Sequence, residues 1–99
     1  MTTEILEEVF EVIEDRKENP RKDSYVAYLL REGKEKIYEK IREETEELIE
    51  ASDEEGFDEI VHESADVIFH VMVLLGAEDV GLEDVMEELR GRRKPSETE

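Results

Sequence analysis

The chain contains no cysteine, which excludes disulfides, thiolate metal sites and thiol nucleophiles. Positive charge is scarce: 13 Lys and Arg stand against 31 Asp and Glu, a net charge of −18. That balance argues against general nucleic-acid or anionic-membrane binding, both of which need a basic footprint. Long hydrophobic runs are also missing. The longest, Val67 to Ala77, is interrupted by His70, so no membrane span is expected. The first residues are acidic from Glu4 onward and lack the basic-then-apolar order of a secretory leader, which points to the cytoplasm. Ser24, Ser52 and Ser64 have no recognisable base or oxyanion framework, and no glycine-rich phosphate loop occurs. Any phosphate must therefore be held by metal ions or by Lys and Arg side chains. At 99 residues the chain makes one domain, expected over 1–90, followed by a charged tail over 91–99.

The excess of acid fits either a disordered segment or a folded protein from a high-salt cytoplasm, where screening tolerates the repulsion. A periodic apolar pattern favours the folded alternative. The bases are unevenly placed: they cluster between Arg16 and Arg42 and again between Arg90 and Lys94, and Glu43 to Leu89 contains none. The middle of the chain suits cations and its flanks suit anions.

The apolar residues recur at helical spacing. Ile5, Leu6, Val9, Phe10, Val12 and Ile13 predict a first helix with one apolar stripe, capped by Thr2 or Thr3 and ending near Lys17 or Glu18, ahead of Asn19-Pro20. A short helix follows a cap at Asp23 or Ser24, with Tyr25, Tyr28, Leu29 and Leu30 on its inner face. Gly33 breaks it from a long helix over Lys34 to Ala51. Beyond a turn at Ser52–Phe57, a third long helix starts near Asp58. From Ala65 on it is apolar nearly all round, the mark of the most buried helix of a bundle. A last helix, Glu83 to Arg90, turns Leu82, Val85, Met86 and Leu89 inward. Nothing reads as strand, so the expected fold is an all-α bundle of four or five helices.

Within that frame one constellation stands out. The inward stripe of the long helix reads Ile37, Ile41, Glu44, Leu48, Ala51, so a carboxylate occupies an apolar register. Glu44 and Glu47 precede the turn, and Glu63 and Asp66 follow it at the same i, i+3 spacing. Folding the chain back at Glu55, beside Gly56, brings Glu47 level with Glu63 and Glu44 level with Asp66, because both helices rise by about 1.5 Å per residue. Four carboxylates so close repel unless a cation neutralises them. Hard oxygen donors suit Mg²⁺, with Mn²⁺ or Ca²⁺ behind it. A buried-polar or solvated cluster is the alternative that the residues alone leave open. Asp66 needs a partner in either case, and a metal or His70, one turn later, could serve.

The motif Glu43-Glu44-x-x-Glu47 with Glu63-x-x-Asp66 resembles the signature of the all-α nucleoside triphosphate pyrophosphohydrolases, the MazG-like proteins. Arg16-Lys17, Pro20, Ser24-Tyr25, Leu29, Gly33, Lys36-Ile37, Lys40, Ala65-Asp66, His70, Leu74-Leu75 and Leu82-Glu83-Asp84-Val85 narrow the resemblance to the phosphoribosyl-ATP pyrophosphatases of histidine biosynthesis. Val26, where that family often has Thr, and Arg42, where it often has Gly, depart from the pattern without touching the four carboxylates. The resemblance implies Mg²⁺-dependent hydrolysis of phosphoribosyl-ATP to phosphoribosyl-AMP and pyrophosphate, with Glu44, Glu47, Glu63 and Asp66 as metal ligands. Glu43 would orient or deprotonate the attacking water beside Glu44. Lys40, ahead of Lys36, would contact phosphate, and Arg16, Lys17 and Tyr25 would serve the phosphoribosyl end. It further implies a homodimer with sites near the subunit interface, and a functional link to a phosphoribosyl-AMP cyclohydrolase. Two other functions compete: house-cleaning hydrolysis of non-standard nucleoside triphosphates, and a non-catalytic acidic helical module that binds a basic partner.

Overall fold

A computed structural model describes residues 3–93. Five helices follow one another: α1 Glu4–Glu18, α2 Tyr25–Glu32, α3 Lys34–Glu50, α4 Phe57–Ala77 and α5 Leu82–Gly91. There is no strand among the described residues, so the all-α expectation holds. The long helices α3 and α4 form an antiparallel hairpin, and α1 and α2 pack across it.

Backbone chemistry sets the breaks. Ser24 caps α2 by accepting a hydrogen bond from the Ala27 N–H at 3.1 Å. Thr3 occupies the cap position of α1 but makes no side-chain bond there, and Thr2 lies outside the described residues. Gly33 separates α2 from α3 with φ +97°, a conformation open to glycine at little cost. Between α3 and α4 the helix widens into one π-helical turn, Ala51–Glu55. The Gly56 N–H closes it on the Ala51 carbonyl at 3.2 Å, and Gly56 at φ +141° reverses the chain. Single π-turns of this kind recur beside functional sites.

The core joins Phe10 and Ile13 of α1, Val26 and Leu29 of α2, Ile37 of α3, Met72 and Val73 of α4, and Leu82 of α5. Gly76 lies so close to Ile13 that a Cβ there would meet the Ile13 Cγ2 at 2.8 Å, which makes the α1–α4 crossing intolerant of a side chain. The Lys17 ammonium ties the same end together by donating to the Gly76 carbonyl at 2.8 Å and pairing with Asp79.

Four expectations are corrected. α2 buries Val26 and Ala27 beside Leu29 and packs Tyr28 and Leu30 against the core, while Tyr25 is exposed. The stripe of α1 splits: Phe10 and Ile13 are buried, but Ile5 and Val12 face outward. Leu89 of α5 also faces outward. Most consequential, α4 is not the most enclosed helix. Phe57, Val61, Ile68 and Val71 stay exposed along one side, because α1, α2 and α3 cover only the opposite face. At 21 residues α4 is also long and apolar enough to cross a membrane by length and composition alone. In this fold it carries Glu63, Asp66 and His70 into contacts with α2 and α3, side chains that lipid would penalise.

Candidate active site

Glu44 sits where its register places it, on the face of α3 that meets α4, and is only 7% exposed. Ligand oxygens of Glu44, Glu47 and Glu63 lie within 4.8 Å of one another, and so do ligand atoms of His62, Glu63 and Asp66. Asp66 lies across the hairpin from Glu44, close enough for its carboxyl to raise the Glu44 pKa. The π-helical turn thus delivers the level pairing that the spacing about Glu55 predicts.

The electrostatics follow from that packing. Burial, then the neighbouring Asp66 carboxyl and the charge of Glu47, push Glu44 up to about 7, against the opposing pull of Lys40. Glu63 is raised by desolvation first and by the Glu47 charge second. One Glu63 oxygen, Oε1, is buried without any hydrogen-bond partner, an arrangement that costs free energy unless a ligand completes it. Crowded carboxyls with raised pKa values and an orphaned oxygen are the donor set that a hard divalent cation satisfies.

Around the cluster stand the other candidates. The Lys40 Nζ is 3.7 Å from Glu43 Oε1 and 3.7 Å from Glu44 Oε1. Burial pulls the Lys40 pKa down, but Tyr25, Glu43 and Glu44 outweigh it and the net shift is upward, so the ammonium stays charged. Lys36 lies 3.5 Å from Glu39 on the same helix and is raised by it. Tyr25 reaches over from α2, where burial first and then Lys40 and Glu44 perturb its phenol. Glu43 is half exposed.

His70 does not pair with the Asp66 carboxylate. Its Nδ1 is 2.7 Å from the Asp66 backbone carbonyl and its Nε2 is 2.9 Å from the Tyr25 hydroxyl. The Asp66 carboxylate instead meets His62 Nε2 at 3.3 Å. His62 is the neighbour that sequence reasoning passed over. Its i, i+4 spacing to Asp66 was the available signal. Arg16 and Lys17 are not brought to the cluster. They line a separate cleft of about 450 Å³ with Arg31, Gly33, Lys34 and Ile37, to which none of the four carboxylates contributes. Arg16 pairs there with Asp15, and Lys34 with Glu78 at 3.2 Å.

A carboxylate cage in an all-α hairpin, flanked by a lysine and aromatic side chains, defines a site class suited to a hard cation and a phosphate-bearing ligand. Comparison with known proteins narrows the class. The profile of the phosphoribosyl-ATP pyrophosphohydrolase family matches residues 6–93, and the chain belongs to that family. It is 50% identical to the phosphoribosyl-ATP pyrophosphatase of Methanocella arvoryzae, over 92% of this chain and 98% of that protein. The corresponding figures for the phosphoribosyl-ATP pyrophosphatase of Methanococcoides burtonii are 48%, 90% and 92%. It is also 47% identical to part of the histidine biosynthesis bifunctional protein HisIE of Pyrococcus furiosus, over 91% of this chain and 42% of that protein.

Proposed function

We propose that the chain hydrolyses phosphoribosyl-ATP to phosphoribosyl-AMP and pyrophosphate in histidine biosynthesis, with Mg²⁺ held by Glu44, Glu47, Glu63 and Asp66. Membership of the family supports the reaction. The observation that carries the metal is geometric: ligand oxygens of the buried Glu44, of Glu47 and of Glu63 lie within 4.8 Å of one another, and Glu63 Oε1 is buried without a partner. When bound, a divalent cation supplies charge neutralisation for the triphosphate, which phosphoryl transfer needs more than covalent help.

The chain's own residues do the rest. Glu43 keeps its carboxylate half exposed at the edge of the cluster, where it can accept a proton from the attacking water. Lys40, between Glu43 and Glu44, presents a charged ammonium to the phosphate chain, and Lys36 extends that positive flank by one helical turn. Tyr25 closes the site from α2. Water adds to a phosphorus of the anhydride, the proton passes to the carboxylate, and pyrophosphate leaves.

A second copy of the chain suits the uncovered side of α4. Phe57, Val61, Ile68 and Val71 form an apolar stripe there, and a groove of about 300 Å³ beside Ile5, Leu6, Val9 and Ile68 runs between α4 and α1. A contiguous exposed apolar stripe of this kind supports an interaction site. Sedimentation is expected to show a species of twice 11.6 kDa, reduced to the monomer by Ile68→Lys. A monomeric wild-type protein would remove the dimer from the account. The bifunctional relative of Pyrococcus furiosus supports a link to a further histidine-biosynthesis activity, which we take to be the cyclohydrolase acting on the product, in the cytoplasm.

The reaction is tested by pyrophosphate release from phosphoribosyl-ATP, dUTP and ATP, each with and without Mg²⁺. Release from phosphoribosyl-ATP that depends on Mg²⁺ and far exceeds release from the others is expected. Release mainly from dUTP would instead assign a house-cleaning activity.

A further inference from the structure

We infer that His70 is a positioning residue: it fixes the Tyr25 phenol beside the carboxylate cluster as a hydrogen-bond acceptor for the substrate. The inference rests on the proposed reaction for its kinetic consequences, but its geometry stands independently.

A backbone carbonyl only accepts, so the His70 Nδ1 at 2.7 Å from the Asp66 carbonyl must carry the hydrogen. In the neutral ring Nε2 is then bare and only accepts. To that neutral ring the Tyr25 hydroxyl, 2.9 Å from Nε2, donates. With its single hydrogen committed inward, the phenol offers only lone pairs on its open side. It can receive a hydrogen bond from a sugar hydroxyl of the substrate, and it cannot give one to a phosphate oxygen.

The surroundings hold this arrangement in place. His70 is 4% exposed although α4 could place an apolar residue there. Its ring stands edge-on to Tyr25 at 5.7 Å and to Phe69 at 5.2 Å. Tyr25 is also stacked with Phe69 and with Tyr28, each at 6.2 Å between ring centres. Tyr25 itself is 44% exposed, so part of the side chain remains open to a ligand. Lys40 and Glu44 lie close enough to bias its phenol. The Asp66 carbonyl belongs to the helical turn that carries the Asp66 carboxylate, so one imidazole links the metal-binding turn of α4 to the substrate-facing tip of α2.

Two measurements on the intact protein test the assignment. Imidazole nitrogen shifts in ¹⁵N-labelled protein are expected to show His70 with hydrogen on Nδ1 and a bare Nε2 whose shift moves in Tyr25→Phe. A hydrogen on Nε2 of the neutral ring overturns the inference whatever the enzyme's activity. Steady-state kinetics follow with Tyr25→Phe, His70→Ala and the double variant. Each single change is expected to raise KM about five- to tenfold, the order of one hydrogen bond. The double variant should be no worse than either single one, with kcat within about twofold and inhibition by pyrophosphate unchanged. His70→Gln, which restores an acceptor near Nε2, should recover most of the loss. Losses that add in the double variant, or a lowered Tm with unchanged KM in both His70 variants, reduce His70 to a packing residue and overturn the inference. A wild-type protein inactive on phosphoribosyl-ATP contradicts the proposed reaction, while the nitrogen shifts still decide the role of His70.

Discussion

Glu44→Gln is expected to abolish turnover and, at the same time, to stabilise the metal-free protein. Loss of a proposed ligand to the cation that neutralises the transferring phosphoryl group should lower kcat by about a thousandfold or more. The stabilisation has a separate origin. Above neutral pH the native state holds an ionised carboxylate that is 7% exposed and faces other carboxylates. Gln keeps the size and the hydrogen-bonding capacity and removes the charge, so about 1–3 kcal/mol of repulsion and desolvation should disappear. In a domain of this size that raises Tm by several degrees, at about 4–8 °C per kcal/mol. Thermal melts at pH 8 in chelator, run beside the activity assay, check both halves. A residue of merely structural importance would lose activity and stability together. A solvated glutamate would change neither, which is what the acidic-module reading requires.

The second large effect is a fall in stability of the metal-free protein as pH rises from 4.5 to about 7. Glu44 has an ordinary value of 4.5 when unfolded and is pushed up to about 7 in the fold. Across that window the native state binds more protons than the unfolded one, so the slope of unfolding free energy against pH is negative. The contribution is fully present below pH 4.5 and is lost by pH 7 or a little above. Its size is about 3 kcal/mol, at about 1.4 kcal/mol per pKa unit. Glu63, raised in the same direction, steepens the slope. Millimolar Mg²⁺ should reverse the loss, because binding to the native state alone stabilises it by mass action. The gain should be greater at pH 8 than at pH 6, where a proton must first leave. Molar KCl should act in the same sense but more weakly on the buried cluster, while also screening the net charge of −18. Urea unfolding at several pH values, with and without Mg²⁺, reads all of this. Stability that is level or rises from pH 5 to pH 7 in chelator would show that Glu44 is not raised.

Much of the site could be read from the amino-acid order because it depends on short-range rules. Gly56 must end a helix or turn, and equal spacing from Glu55 beside it fixes which carboxylates come level. The apolar register of α3 singled out Glu44 from a very acidic helix, and its burial follows from the same periodicity. The family resemblance agreed with that reading but was not needed to find the cluster.

What escaped the sequence depended on three-dimensional covering. Ile68 and Val71 look as buried as Met72 and Val73 in an apolar run, but one bundle has no segment left to cover their side. Tyr25 falls at an inward spacing on α2, yet a tyrosine can lie against Phe69 and still leave much of its side chain exposed. Of the two partners expected for Asp66, a metal or His70, His70 meets its backbone carbonyl rather than its carboxylate. A histidine one turn later can reach either the side chain or the carbonyl, and the Tyr25 hydroxyl makes the carbonyl arrangement the one that satisfies both ring nitrogens. Arg16 and Lys17 were grouped with the site by resemblance, and the fold places them in another cleft with local acidic partners.

The central claim is that four carboxylates form a cation site whose charge the native fold cannot carry unaided. Calorimetric titration of Mg²⁺ into metal-free protein at pH 6.5, repeated in two buffers of different ionisation enthalpy, tests it most directly. The account predicts saturable binding that releases about one proton, with both the binding and the proton release lost in Glu44→Gln. Binding that releases no proton and survives Glu44→Gln unchanged would contradict it.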